Sequence, residues 1–163
     1  MAAIDTIQLF YSGNGTAAGS LGGAFSGVLV PNNVKENLFS NVTVEAASRG
    51  ARQYRCVYLR AANFTYSELR FFFSSVITPS PDSQMFAGVG TSPLNGVEQT
   101  IDDETRAPAG VVFILPNDEL NALVLPDMSP NSFQAIWLQR VITANARGFL
   151  NDYARINLAG VQR

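Results

Sequence analysis

Apolar and polar positions alternate in short runs along this chain, and glycine, proline or asparagine closes most of them. "IDTIQLFYSG" sets Ile4, Thr6, Gln8 and Phe10 against Asp5, Ile7, Leu9 and Tyr11, which predicts a short strand ending at a glycine turn. "NLFSNVTVEAA" is read as a second strand. "QYRCVYLRAAN" puts Tyr54, Cys56 and Tyr58 on one face and Arg55, Val57 and Leu59 on the other. "ELRFFFSSVIT" separates Leu69, Phe71 and Phe73 from Arg70, Phe72 and Ser74. "TPSPDSQ" is a proline turn. "MFAGVG", "GVEQTI", "GVVFIL" and the apolar part of "ELNALVLPDMSPNS" predict further short strands. "SFQAIWLQRVI" and "DYARINLAG" alternate again near the end. No window of twelve or more residues keeps a helical period. Eight or nine short strands with turn signals between them predict one all-β domain, an antiparallel β-sandwich of Ig-like or jelly-roll topology. The expected core includes Leu9, Cys56, Leu69, Phe71, Phe73, Phe113, Trp137 and Ile156.

One stretch breaks the pattern. "SGNGTAAGSLGGAFSG" is dense in small residues and can bury little apolar area, so residues 12–27 are expected as a flexible or partner-ordered loop or arm. "QYRCVYLR" and "QAIWLQRV" echo each other weakly and suggest two similar half-buried strands.

Composition narrows the chemistry. The chain has 163 residues, enough for one domain with a real core, and only 15% of them are charged. Net charge is −2 and the 11 basic residues are scattered, so the basic stripe of a nucleic-acid binder is missing. There is no histidine, which removes the commonest general base and the usual zinc sets. The lone Cys56 can form neither an internal disulfide nor a Cys-His pair. Arg55 does not activate it, because neighbours on a strand face opposite ways. "MAAIDTIQLF" lacks the basic segment and apolar core of a signal peptide, and no run suits a membrane helix. The Asn-x-Thr triplets at Asn14, Asn41 and Asn63 are therefore read as chance, and the chain as one made in a reducing cytoplasm. "SGNGTAAGS" has no phosphate-loop lysine. Asp102, Asp103 and Glu104 form the densest acidic cluster, and solvated loop tips are the expectation for it and for Asp118 and Glu119. No cofactor or metal is expected.

The clearest pointer to function is "RFFF". With Phe71 and Phe73 in the core, Phe72 must face outward, and burying it is worth about 1.5–3 kcal/mol. Something should cover it, either an arm or loop of the same chain or another subunit. Phe72, Phe25, Leu29 and Arg55 are thus the candidate protein contacts, Arg55 marking the rim of a second apolar face.

Three stretches, "ARQYRCVYLRAAN", "NGVEQTIDDETRAPAGVVF" and "FQAIWLQRVITANARGFLNDYARINLAG", resemble segments of small virion structural proteins of tailed bacteriophages. The matching positions are Tyr54, Arg55, Cys56, Gly96, Gln99, Thr100, Ile101, Glu104, Thr105, Ala107, Pro108, Gly110, Val111, Phe113, Trp137, Arg140, Asn151 and Asp152. "RAANFTYSELRFFFSS" departs from that pattern, and Gln139 stands where a second arginine is usual. The resemblance covers about half of the chain. It implies a two-sheet β domain in a virion, with no enzymatic activity. The leading expectation is a capsid decoration or cement protein on the exterior of a shell. Its partners would be the major capsid protein and copies of itself, with no nucleic acid, membrane or small-molecule substrate. A tail, neck or baseplate component is the alternative. A carbohydrate-binding sandwich using the Asp102 to Glu104 cluster is a distant third.

Overall fold

The computed structural model describes residues 7–74, 80–149 and 152–163. Residues 4–6 of the first predicted strand, Ser75 to Pro79 and Asn151 lie outside them. The chain forms β1 (Ile7–Ser12), β2 (Gly22–Gly23), β3 (Phe25–Leu29), α1 (Val44–Arg49), β4 (Ala51–Ala61) and β5 (Tyr66–Ser74). It continues through β6 (Ser83–Val89), β7 (Glu98–Thr100), β8 (Leu123–Val124), β9 (Phe133–Ile142) and β10 (Arg155–Gln162). Five strands form one sheet in the order β3-β1-β4-β9-β6, and three form a second in the order β10-β5-β8. β2 and β7 make a small third pair. Every pairing is antiparallel.

The two longest strands, β4 and β9, lie side by side in the middle of the large sheet, with Cys56 opposite Trp137 and Val57 opposite Ile136. These are the two segments whose sequences echo each other. Both are buried on both faces. On one face Val57, Leu59, Ile136 and Leu138 meet Leu69, Phe71 and Phe73 of β5 and Leu123 of β8. This is the sandwich core, and the alternation of "ELRFFF" builds its second layer. On the other face Tyr54, Cys56, Tyr58, Ala135 and Trp137 lie under Leu21, Phe25, Ile101, Val111 and Phe113. The all-β sandwich therefore carries an extra cover of loops around β2 and β7. Cys56, Leu69, Phe71, Phe73 and Trp137 are buried as expected, while Leu9, Phe113 and Ile156 are half-buried against the two cores.

Three expectations need correction. Residues 12–27 are no free arm, for their own chain orders them. Ser12 Oγ donates to the Cys56 carbonyl (2.9 Å), and the N–H groups of Cys56 and Ile101 donate to the carbonyls of Ser20 (2.8 Å) and Leu21 (2.9 Å). Glycine permits this close docking. A Cβ on Gly22, which has φ +94, would lie 1.8 Å from the Gln99 carbonyl oxygen. Small residues here thus lower the cover onto the sheet.

"NLFSNVTVEAA" is not a strand but an irregular segment running into α1. Thr43 stays extended and its Oγ1 accepts the Ala46 N–H at 3.1 Å, Glu45 pairs with Arg49 one turn on, and Gly50 ends the helix at φ +79. "GVVFIL" forms only a bridge, in which Ile114 and Ala87 exchange backbone hydrogen bonds of 3.0 Å along the edge of β6. Pro116, buried beyond it, has no N–H to continue a ladder.

Candidate interaction surface

β4 carries Gln53 and Arg55 to the sandwich side of the sheet, near its end. Arg55 is 4% exposed. Its Nη2 lies 2.5 Å from Glu104 Oε2, its Nε donates to the Leu38 carbonyl (3.0 Å) and its Nη1 to that of Tyr54 (3.0 Å). Gln53 donates to Glu104 Oε1 at 3.0 Å and accepts from Arg140 Nε at 2.9 Å. The guanidinium carbons of Arg140 and Arg55 stand 4.8 and 5.5 Å from the centroid of the Phe39 ring. This network ties the 38–40 and 104 loops to β4. It also corrects the expectation that Arg55 marks a contact rim. The guanidinium turns inward because Glu104, brought over by the loop after β7, neutralises it.

An open cleft of about 500 Å³ lies beside this network, lined in part by Ala17, Leu21, Leu38, Asp103 and Glu104. The acidic residues of its wall do not converge. Asp102 faces Arg106 (2.5 Å), Asp103 accepts from Thr105, and Glu104 is taken by Arg55. Hydrogen bonds from Thr105 hold the exposed Asp103 carboxyl below its usual range. No group of three or more potential metal ligands is found among the described residues.

The second face of the sheet holds a buried polar centre that sequence reasoning missed. Glu98, in β7, is 2% exposed. Its carboxylate accepts from the Thr91 N–H (3.1 Å), Thr91 Oγ1 (2.9 Å), the Ser92 N–H (2.8 Å) and Trp137 Nε1 (3.2 Å). Burial pushes the carboxyl up, but the hydrogen bonds from Ser92, Trp137 and Thr91 outweigh it and hold the group at about 2. Tyr58 completes the centre, accepting the Glu98 N–H (3.1 Å) while donating to the Gly23 carbonyl (2.6 Å). Burial is also the main reason its hydroxyl is pushed up to about 12. One carboxylate and one phenol thus fasten both strands of the cover to β4 and β9. Cys56 lies beneath, fully buried, and burial pushes its thiol well above the ordinary range. Trp137 is fully buried too, so its ring offers no face for stacking on a sugar.

The four candidate contact residues do not come together. Phe25 is half-buried in an aromatic cluster, stacked on Phe133 at 4.7 Å and tilted against Phe10 at 4.8 Å. It is thus part of the cover rather than of a bare surface. Phe72 is half-buried on the outer face of the three-stranded sheet. Leu29, on β3, keeps 49% of its surface exposed. Other bare apolar side chains fall on edge strands as well, Val28 on β3, Val124 on β8 and Val161 on β10. No helix among the described residues is long and apolar enough to cross a membrane. Comparison with protein-family models, curated proteins and solved structures finds no match for this chain.

Proposed function

We propose that this chain is a structural subunit of an assembled particle, a capsid decoration or cement protein of a tailed phage that binds the shell of major capsid protein. The observation that carries this reading is that four of the bare apolar side chains lie on outer strands of the two sheets. Val28 and Leu29 lie on the outermost strand of the large sheet, and Val124 and Val161 on the two outer strands of the small one. Sheet edges with exposed apolar residues are templates for neighbouring chains, and soluble proteins usually blunt them with charge. Only 15% of the chain is charged, well below the usual quarter. The buried charged groups Glu98 and Arg55 serve the fold, holding the cover and the loops in place. The resemblance to small phage virion proteins supplies the kind of particle.

The mechanism is linkage without chemistry. A protein that binds only the assembled shell stabilises it by about 2.7 kcal/mol per site at a free concentration of 100 Kd. The test is co-sedimentation with shells stripped of this protein, alongside unassembled capsid subunits. Saturable binding to shells alone, at hundreds of copies per particle, is expected. Saturation at a handful or a few dozen copies would move the protein to the tail, neck or baseplate. Absence of binding would end the particle reading.

A further inference from the structure

The outer face of the three-stranded sheet ends in an exposed apolar corner. Inward packing of Leu69, Phe71 and Phe73 leaves Arg70 and Phe72 facing out, and Val124 of β8 pairs opposite Arg70. Val124 is 67% exposed, and Leu120, in the turn just before β8, is 91% exposed. Leu120 is not on a loose tip. The Asp118 carboxylate accepts the Asn121 N–H at 2.8 Å and the Asn121 side-chain amide at 3.0 and 3.1 Å, closing the turn. The carbonyl of Glu119 lies 3.5 Å from Arg70 Nη1, which brings Leu120 beside the Val124–Arg70 row. A leucine held this bare on a fixed turn leaves apolar area whose burial by a partner would be favourable.

The charge around it is one-sided. Asp118 and Glu119 flank Leu120, and Glu68 and Asp127 meet beside Arg70, where the Asp127 carboxylate accepts the Glu68 N–H at 3.2 Å. Four acidic residues and one arginine thus lie along this corner, in a chain whose whole net charge is −2. A second copy of the chain is a poor occupant, because two-fold pairing would set acidic rim against acidic rim. The cleft beside Arg55 is a weaker candidate, since Arg55 already takes its Glu104.

We propose that the Leu120–Val124 corner is a docking surface for a protein partner that offers an apolar pocket rimmed by lysine and arginine. This deepens the particle reading by naming the partner's chemistry, and its test does not need the particle. The probe is a synthetic amphipathic peptide of leucine and lysine, titrated into the ¹⁵N-labelled full chain and followed by NMR. Saturable shifts centred on Leu120, Asn121 and Val124 are expected. They should weaken at least tenfold in Leu120→Asp, and several-fold in Glu119→Lys at low salt but not at high salt. Both positions are exposed, so the spectrum away from the corner and the melting temperature should stay as in the parent. Shifts centred elsewhere, no shifts, or equal binding by Leu120→Asp would overturn the proposal. So would concentration-dependent shifts of these signals without peptide, which would make a second copy the occupant. A separate failure of the parent chain to bind shells would remove the particle reading and leave this surface standing.

Discussion

Glu98→Gln tests the centre that joins the cover to the sandwich. The carboxylate accepts from four donors at 2.8–3.2 Å while almost fully buried. An amide can keep an oxygen toward Thr91 and Trp137 only by turning its NH2 group against the Ser92 N–H. Leaving that donor unsatisfied costs about 1–3 kcal/mol, and the surviving bonds lose their charge assistance. The depressed acidity gives a second route to the magnitude. A carboxyl moved from 4.5 to about 2 makes ionised Glu98 worth about 3 kcal/mol to the folded state. The folded value is the lower one, so this stability is present above pH 4.5 and is lost as pH falls from there toward 2. About 2 kcal/mol of it should be gone at pH 3. Urea unfolding followed by Trp137, the chain's only tryptophan, reads both quantities. Glu98→Gln should be about 3 kcal/mol less stable than the parent at pH 7 and only about 1 kcal/mol less stable at pH 3. A variant as stable as the parent at pH 7, or a difference that does not shrink on acidification, would refute the assignment of Glu98 as the ionised anchor.

Other perturbations probe neighbouring parts. Tyr58→Phe removes the bond to the Gly23 carbonyl and leaves the Glu98 N–H without its acceptor, at a cost of about 1–3 kcal/mol. Because Cys56 lies beneath the cover, maleimide labelling of the native protein should be slow in the parent and at least tenfold faster in this variant. Glu104→Ala leaves Arg55 buried without its counter-charge, and thermal or urea unfolding should show a loss of about 3 kcal/mol. Deleting residues 12–27 removes Leu21 and Phe25 from the second core, so circular dichroism should report a chain that fails to fold natively. A deletion that folds and melts like the parent would contradict the account of the cover.

Alternation made the sandwich legible. It put Val57 and Leu59 on one face of β4 and Cys56 and Tyr58 on the other, and it turned Phe71 and Phe73 inward on β5. It could not show that both faces of β4 and β9 are covered, since the covering residues Leu21, Phe25, Ile101, Val111 and Phe113 are scattered over loops and short pairings far apart in the chain. The glycine-rich stretch resembles a flexible arm for the same reason that it docks so closely. Its glycines and alanines have little side chain to bury and little to keep backbones apart, and only Leu21 and Phe25 carry larger apolar side chains into the second core. The burial of Arg55 is not legible in the sequence, because parity gives a face while its partner Glu104 arrives from a distant loop. Glu98 left no local mark. Its donors come from Thr91, Ser92 and Trp137, and only the fold brings them together. The helix signals were present in Thr43, Glu45, Arg49 and Gly50, but Val42 and Val44 alternate with their neighbours and favoured a strand.

The central claim is that the chain works by covering an assembled shell, and an electron-microscopy map of the particle tests it most directly. The account predicts repeated density for this fold across the outer shell, with exposed sheet edges or the Leu120 corner against neighbouring subunits. Density confined to the tail or neck, or particles without this protein, would contradict it.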